Sequence, residues 1–531
     1  MFNIKDETYS KILIILFSCS FIYIISFILF SDFRKLIFIT PDDASYYLKI
    51  AQNFSKGSGF SFDGINQTNG FQPLWQYILI PFAYFKIKPE LMLRIAFILQ
   101  VILLSASAII FCRAQSKIFK AGAILPGGII FLMFVFFNGV NGMETALMIF
   151  FVSLLYFYCI KKNMLEENNF KDEFITGMIL GLVILSRLDM IFLASAIGIF
   201  SMVNILLNKE GRQRSLIKIS LIVSGTAIIV SPYLTYNYLK FGNIIPISGY
   251  LKTTFPLYSE PEKLRYIFSY RESIFAFSAF IYFIWFLFTL KKVRKQSSNI
   301  KAFTYYMAIF ALFVMIYFLY TILFLNWVIF SWYFISYSIF ASLAVSLPFH
   351  YFLKFRKQRL RDVAVIFISA LMTVYGIYKI YNLYENRFSQ AGNNWNIESY
   401  NAAEWIKNNT DSNEIFAMRD AGHFSFFSDR RVINLDGLVN NFEYQEILKN
   451  KKLNEYLKKH DVRYLVQHGI WNRDEIIDGN YDTLQIDFIS HRYSSESDPI
   501  LVRKKDEFYR SAPYLDDNFR VSFIIWKLNQ Q

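Results

Sequence analysis

The sequence predicts a polytopic α-helical membrane protein, with about eleven transmembrane helices and a C-terminal α/β domain outside the membrane. Three observations lead there. Of the 531 residues, 54% are hydrophobic and 19% aromatic. Apolar runs of about 20 residues recur, long enough to cross a ~30 Å hydrocarbon core. After about residue 383 those runs stop, charges rise and short alternating segments take their place.

In order along the chain, spans are expected at 11–30, 91–112, 121–137, 144–160, 174–186, 190–207, 217–237, 273–290, 302–324, 333–352 and 363–382. The first run has no small-residue cleavage site, so it reads as a retained helix and not a removed signal peptide. Basic residues fill alternate gaps: Arg113, Lys117 and Lys120; Lys161, Lys162 and Lys171; Lys209, Arg212, Arg214 and Lys218; then the clusters at 291–301 and 354–361. The gaps Asn138–Met143 and Leu325–Phe330 contain neither Lys nor Arg. The basic gaps are therefore expected in the cytoplasm with the N-terminus, and the loops 31–75 and 239–272 outside with the tail. Pro73–Phe85 is apolar but reaches only about 20 Å as a helix. A crossing there would invert every later basic loop, so it is read as juxtamembrane or re-entrant. The expected domains are thus a transmembrane domain over 1–382, with outer loops 31–75 and 239–272, and an extracytoplasmic domain over 383–531.

The tail reads as a helix over Tyr400–Asn409, strands at Glu414–Met418 and Arg431–Leu435, a helix over Leu453–Lys459 leading into Tyr464–Gln467, and a closing strand at Val521–Leu528.

Composition also excludes. The formal net charge of +14 suggests nucleic acid, but the cations sit where the positive-inside rule wants them, so no nucleic-acid partner is expected. Cys19, Cys112 and Cys159 lie in or at the ends of apolar spans, which indicates neither a disulfide framework nor a thiolate metal site. No Walker loop and no GxGxxG opens a helix, against a soluble nucleotide-sugar enzyme.

The chemistry concentrates in Thr40–Trp75, directly after the first span. Thr40-Pro41-Asp42-Asp43 has the form of a helix start, with Thr40 as N-cap, Pro41 first and two acids in the first turn. Tyr47, Ile50, Ala51 and Phe54 then recur at helical spacing, predicting an amphipathic helix at the outer interface. Asp43 is placed to close a capping box with Thr40. Asp42 has no such local role, which makes it the expected general base for a sugar or other hydroxyl. Asp43 would orient it, cap the helix or hold a divalent ion; metal use stays open.

The stretch DDASYYLKIAQNFSKGSGFSFDGINQTNGFQPLW resembles the first outer loop of bacterial GT-C superfamily glycosyltransferases, where an acidic pair precedes a TNG-x-x-PLW segment. NGMETAL (141–147), SRLD (186–189), YNYLKFGNIIPISGYLK (236–252), Ser331-Trp332-Tyr333 and DAGHFSFFSDRRVINLDGLVN (420–440) follow in order. The nearest branches are arabinofuranosyltransferase-like and mannosyltransferase-like. The resemblance implies a catalytic carboxylate in that loop and inverting transfer from a polyprenyl-phosphate sugar donor. It also implies a cell-envelope glycan or lipid acceptor, at the outer face of a bacterial cytoplasmic membrane. Several relatives carry an Arg three positions after the first acid to hold the lipid phosphate, where this chain has Ser45. Phosphate binding then falls to Lys252, Arg187 or Lys49.

Asn69, Gln72, Trp75, Glu144, Asp189, Trp332, Tyr333 and His423 are the remaining substrate-contact candidates. Glu144 either touches sugar or satisfies helix amides. Asp189 either pairs with Arg187 or meets substrate. Trp75, Trp332 and Tyr333 stack on sugar or anchor at the interface. His423, among Arg419, Asp420, Asp429, Arg430, Arg431 and Asp436, would line an acceptor groove. A transporter or flippase of lipid-linked saccharides shares the helices, but it should place ionisable residues near the bilayer midplane. An O-antigen polymerase or ligase should carry a large outer loop with arginines and histidine.

Overall fold

The computed structural model describes residues 6–162, 169–207, 211–258, 273–354, 358–382, 388, 393–468, 474–490, 495–516 and 519–528. Lys209, Arg356, Lys357 and residues 259–272 of the long loop lie outside the described residues, as does the expected boundary at 383.

Among the described residues, nine helices are long and apolar enough to cross a membrane: Asp6–Phe30 (α1), Pro89–Ser116, Ala121–Gly139, Thr145–Lys162, Leu188–Leu206, Arg212–Phe241, Ile274–Val293, Ser298–Leu323 and Ser331–Phe352. The expected spans at 174–186 and 363–382 are the helices Phe170–Ser186 and Gln358–Tyr381, whose apolar stretches are shorter. Phe170–Ser186 lies tightly along Arg212–Phe241. A Cβ on Gly177 would strike the Ile222 carbonyl, and one on Gly225 the Phe174 carbonyl, so small residues set this close approach.

The acidic loop departs from expectation at its start. A short helix, Phe33–Ile39 (α2), precedes it, and Thr40 closes α2 by donating its hydroxyl to the Leu36 carbonyl. The next helix, Asp42–Ser55 (α3), starts one residue later than expected with Pro41 as N-cap and no side-chain cap bond. The Thr40–Asp43 capping box is therefore not formed. Nor does α3 lie on an interface. Asp42, Ala44 to Ala51 and Asn53 are all buried, with α3 held between the bundle and the C-terminal domain. Pro73–Ala83 (α4) packs beside it, and its 11 residues reach only about 17 Å.

The C-terminal domain is built on a five-stranded sheet. Ile415–Met418 (β1) runs parallel to Arg431–Asn434 (β2) on one side and to Val462–Gln467 (β3) on the other. Ile524–Lys527 joins β3 antiparallel, with Glu507–Arg510 beyond it. The expected closing strand is divided, because Phe519–Val521 instead pairs with Tyr514–Asp516. Helices cover both faces. Phe416 and Met418 share the core that includes Phe424 and the bundle, while Ala417, Ile433 and Leu465 pack with Tyr444, Leu448 and Leu453. The helix Gly422–Ser428 between β1 and β2 went unanticipated. All seven of its residues are buried, so no polar face marks it in the sequence.

Candidate active site

The start of α3 meets the carboxyl ends of β1, β2 and β3, the edge where open parallel sheets hold ligands. Asp420 lies two residues after β1, Asp436 two after β2 and His468 one after β3. Because β2 and β3 flank β1, the strand order reverses beside β1, and the crevice between β1 and β3 holds the Asp420–His468 pair at 3.0 Å. Asp436 accepts the Asp420 amide at 3.0 Å, and the Tyr46 hydroxyl of α3 donates to the same oxygen at 3.4 Å.

The two adjacent acids have different surroundings. Both Asp42 oxygens accept backbone amides, Gly422 N–H and His423 N–H, each at 2.7 Å. Asp42 thus caps the Gly422–Ser428 helix from outside that helix. Burial pushes its pKa up, against the pull of those amides. Asp43 is only partly buried, and among the described residues its carboxylate has no hydrogen-bond partner. Burial, offset by Lys252 and reinforced by Asp420, Asp436 and Glu144, raises its pKa to about 6.

His423 is fully buried, its Nδ1 2.7 Å from Ser45 Oγ and its Nε2 3.0 Å from the Thr40 carbonyl. A carbonyl only accepts, so Nε2 carries the proton and Nδ1 accepts from Ser45. Burial drives its pKa down to about 4, in keeping with that neutral form. His423 therefore lines no acceptor groove. Of its charged neighbours, Asp420 and Asp436 reach the site, whereas Asp429 pairs with Lys56 at 2.6 Å and Arg430 bonds the Lys407 and Thr410 carbonyls. Ser45 has no exposure, so an Arg would not fit at this position.

The candidate cations separate too. Lys252 ends the short helix Ile247–Lys252 and stands 5.9 Å over the Trp327 ring. Burial works to lower its pKa, but Tyr333, Asp43 and Glu144 outweigh that and raise it, so it stays charged. Arg187 is committed elsewhere: Nη2 lies 2.9 Å from Asp189, Nη1 donates to the Trp332 carbonyl at 2.9 Å and Nε is 3.9 Å from Glu144. Asp189 also accepts from Tyr317 at 2.8 Å, and Glu144 from Tyr47 of α3 at 2.7 Å. Lys49 does not join this group. It is buried 3.8 Å from Asp429, and burial lowers its pKa to about 7.

The TNG-x-x-PLW residues act as ties. Asn69 Oδ1 accepts the Ile247 amide at 2.9 Å, fixing the helix that carries Lys252. Gln72 Oε1 accepts the Leu188 amide at 2.9 Å, fixing the Arg187–Asp189 turn. Trp75, fully buried, donates Nε1–H to the Gly142 carbonyl at 3.2 Å, bracing the turn before Glu144. Trp75 therefore cannot stack on sugar. Trp332 stacks on Phe330 at 4.4 Å, and the Tyr333 ring lies 5.7 Å beneath Arg187. Sequence reasoning missed Asp420 and Asp436 as partners of the loop, and missed His468 and Tyr47. The signal for the first three was their place just after short β-runs.

Among the described residues no three His, Cys, Asp or Glu side chains converge to hold a metal ion. The Asp42 oxygens and those of Asp436 each accept N–H donors, which orient these carboxylates.

Residues 383–513 match a domain of unknown function (DUF8728). No curated protein matches the chain. Among solved structures, the chain is similar to the archaeal oligosaccharyltransferase AglB from Archaeoglobus fulgidus in complex with an inhibitory peptide and a dolichol-phosphate. The identity is 13%, covering 86% of this chain and 69% of that one, with a TM-score of 0.50. The crystal structure of the Archaeoglobus fulgidus oligosaccharyltransferase tethered with an acceptor peptide has the same identity and coverage, with a TM-score of 0.49. The chain has this fold: a bundle of membrane-length helices with a C-terminal sheet domain.

Proposed function

We propose that this protein is a GT-C-type glycosyltransferase that moves a sugar from a polyprenyl-phosphate donor to a glycan or lipid acceptor, working at the outer face of a bacterial cytoplasmic membrane. The observation that carries the reading is Asp43 at the start of α3, a carboxylate with no hydrogen-bond partner among the described residues, within the electrostatic influence of the half-buried, charged Lys252 where the bundle meets the sheet domain. The AglB neighbour, solved with a peptide and a dolichol-phosphate, supports a lipid-phosphate donor and an acceptor in general.

Asp43, and not Asp42, serves as the general base. It takes the proton from the acceptor hydroxyl as that oxygen bonds to the anomeric carbon. The bond from that carbon to the phosphate oxygen breaks, and the electron pair leaves with the polyprenyl phosphate. Lys252 neutralises the charge developing there. A phosphate leaves without a general acid, so one carboxylate suffices. Arg187 shapes the lysine side of the site through Asp189, Glu144 and the Trp332 carbonyl. The acceptor approaches from the carboxyl edge of β1 and β3. The test is sugar transfer from a radiolabelled polyprenyl-phosphate donor pool by membranes carrying wild type, Asp43→Asn or Lys252→Met at matched protein levels. Loss in both variants is expected, and full transfer in both would sink the mechanism.

A further inference from the structure

Two buried side chains have no place in the transfer chemistry: Asp42 of the acidic loop, whose oxygens both accept hydrogen bonds, and the neutral His423 of the C-terminal domain. Together they join α3 to the C-terminal domain. Asp42 accepts the Gly422 and His423 amides, Ser45 donates to His423 Nδ1, and His423 Nε2–H returns to the Thr40 carbonyl. Asn396 Nδ2, from the domain's first helix, reaches the same Thr40 carbonyl at 3.1 Å. The approach is so close that a Cβ on Gly422 would collide with the Asp42 carbonyl oxygen and lie 2.8 Å from Oδ2. Gly70 repeats this farther along the loop, where a Cβ would collide with the Leu438 carbonyl. Gly422 stands only two residues beyond Asp420, so the contact that seizes the Gly422 amide also sets Asp420 and its partner Asp436 against the start of α3.

We propose that Asp42 is a positioning residue that clamps the C-terminal domain onto α3, and that this domain of unknown function serves to complete the active site around Asp43. The proposal rests on Asp43 as base. Undocked, α3 would lose the partners of its first turn, and Asp43, the next residue, would lose its fixed place. A shift of about 1 Å at a reacting group lowers turnover by about 100-fold. A clamp and a base respond differently to amide substitution. A base needs the carboxylate's proton affinity, which Asn and Ala lack equally. A clamp needs an acceptor oxygen, which Asn keeps in part.

The experiment compares full-length protein in membranes carrying Asp42→Asn, Asp42→Ala, Gly422→Ala, Asp43→Asn and Asp43→Ala. It reads kcat and donor KM for transfer from a radiolabelled polyprenyl-phosphate sugar pool, and hydrogen exchange across 420–428. Expected are a kcat loss of about 100-fold in Asp42→Ala with donor KM unchanged, and a loss at least several-fold smaller in Asp42→Asn. Exchange across 420–428 should be faster in Asp42→Ala and Gly422→Ala, and the Asp42→Asn rate should keep the wild-type pH dependence. Asp43→Asn and Asp43→Ala should be equally inactive. Equal inactivity of Asp42→Asn and Asp42→Ala with wild-type exchange would overturn the clamp and leave Asp43 standing. Activity in Asp43→Asn would instead remove the base assignment, whatever the Asp42 variants do.

Discussion

If Asp43 accepts the acceptor's proton, the transfer rate must follow its ionisation. Its pKa near 6 comes from burial, with Lys252 pulling down and Asp420, Asp436 and Glu144 pushing up. A base works deprotonated, so the rate rises with pH through about 6 and levels above it. Ionisation is about one-eleventh at pH 5, half at pH 6 and ten-elevenths at pH 7, so the rate should climb about tenfold across those two units. An ordinary Asp would give a nearly flat profile over the same range, because it is ionised throughout. Asp43→Asn should lower kcat by about 10²–10⁴. Lys252→Met removes the largest influence holding the pKa down, so the residual activity should rise at higher pH; Asp420→Asn should move the limb lower. The assay is the initial rate of transfer from radiolabelled polyprenyl-phosphate sugar, from pH 5 to 8 at fixed ionic strength. A flat profile between pH 5 and 7, or full activity in Asp43→Asn, would refute the assignment.

Three further outcomes are expected. Arg187→Ala leaves Asp189 and the buried Glu144 without their cation, so it should destabilise by about 3–5 kcal/mol, seen as a lower unfolding midpoint in detergent. Arg187→Lys should not restore it, since an ammonium cannot reach Asp189, Glu144 and the Trp332 carbonyl together. Gly142 sits at φ +79 with Ala44 Cβ 2.6 Å from where its own Cβ would be, so Gly142→Ala should cost at least about 1–3 kcal/mol and shift Glu144. Lys49→Met replaces a buried, weakly paired ammonium with an apolar chain of similar length. Transfer and melting temperature should stay near wild type, whereas lost donor affinity would return Lys49 to the phosphate site.

Much of this protein was legible before any coordinates. Apolar length marked the membrane helices, because crossing a bilayer demands about 20 apolar residues whatever they pack against. The short strands Ile415–Met418, Arg431–Asn434 and Val462–Gln467 and the helix ending at Asn409 stand close to where β-branched and helical patterns put them. The sequence marked the acidic loop, the NGMETAL and SRLD turns and the segment ending at Lys252 one by one, and the structure brings these segments together.

What each residue does when they meet was decided by tertiary structure. Local sequence assigned Asp43 a capping role and so made Asp42 the expected base, since a capping box is read over three or four residues. The cap that Asp42 makes belongs to a helix 380 residues away, and no local pattern records it. Likewise Asn69, Gln72 and Trp75 looked like substrate contacts because polar and aromatic side chains in a loop suit sugar. Their partners, the Ile247 and Leu188 amides and the Gly142 carbonyl, are backbone atoms without a sequence signature. Periodicity and hydropathy are properties of a segment by itself and survive without the fold. Hydrogen-bond partnership and proton affinity depend on what the fold brings alongside, so only the assembled structure separated the buried, bonded acid from its free neighbour.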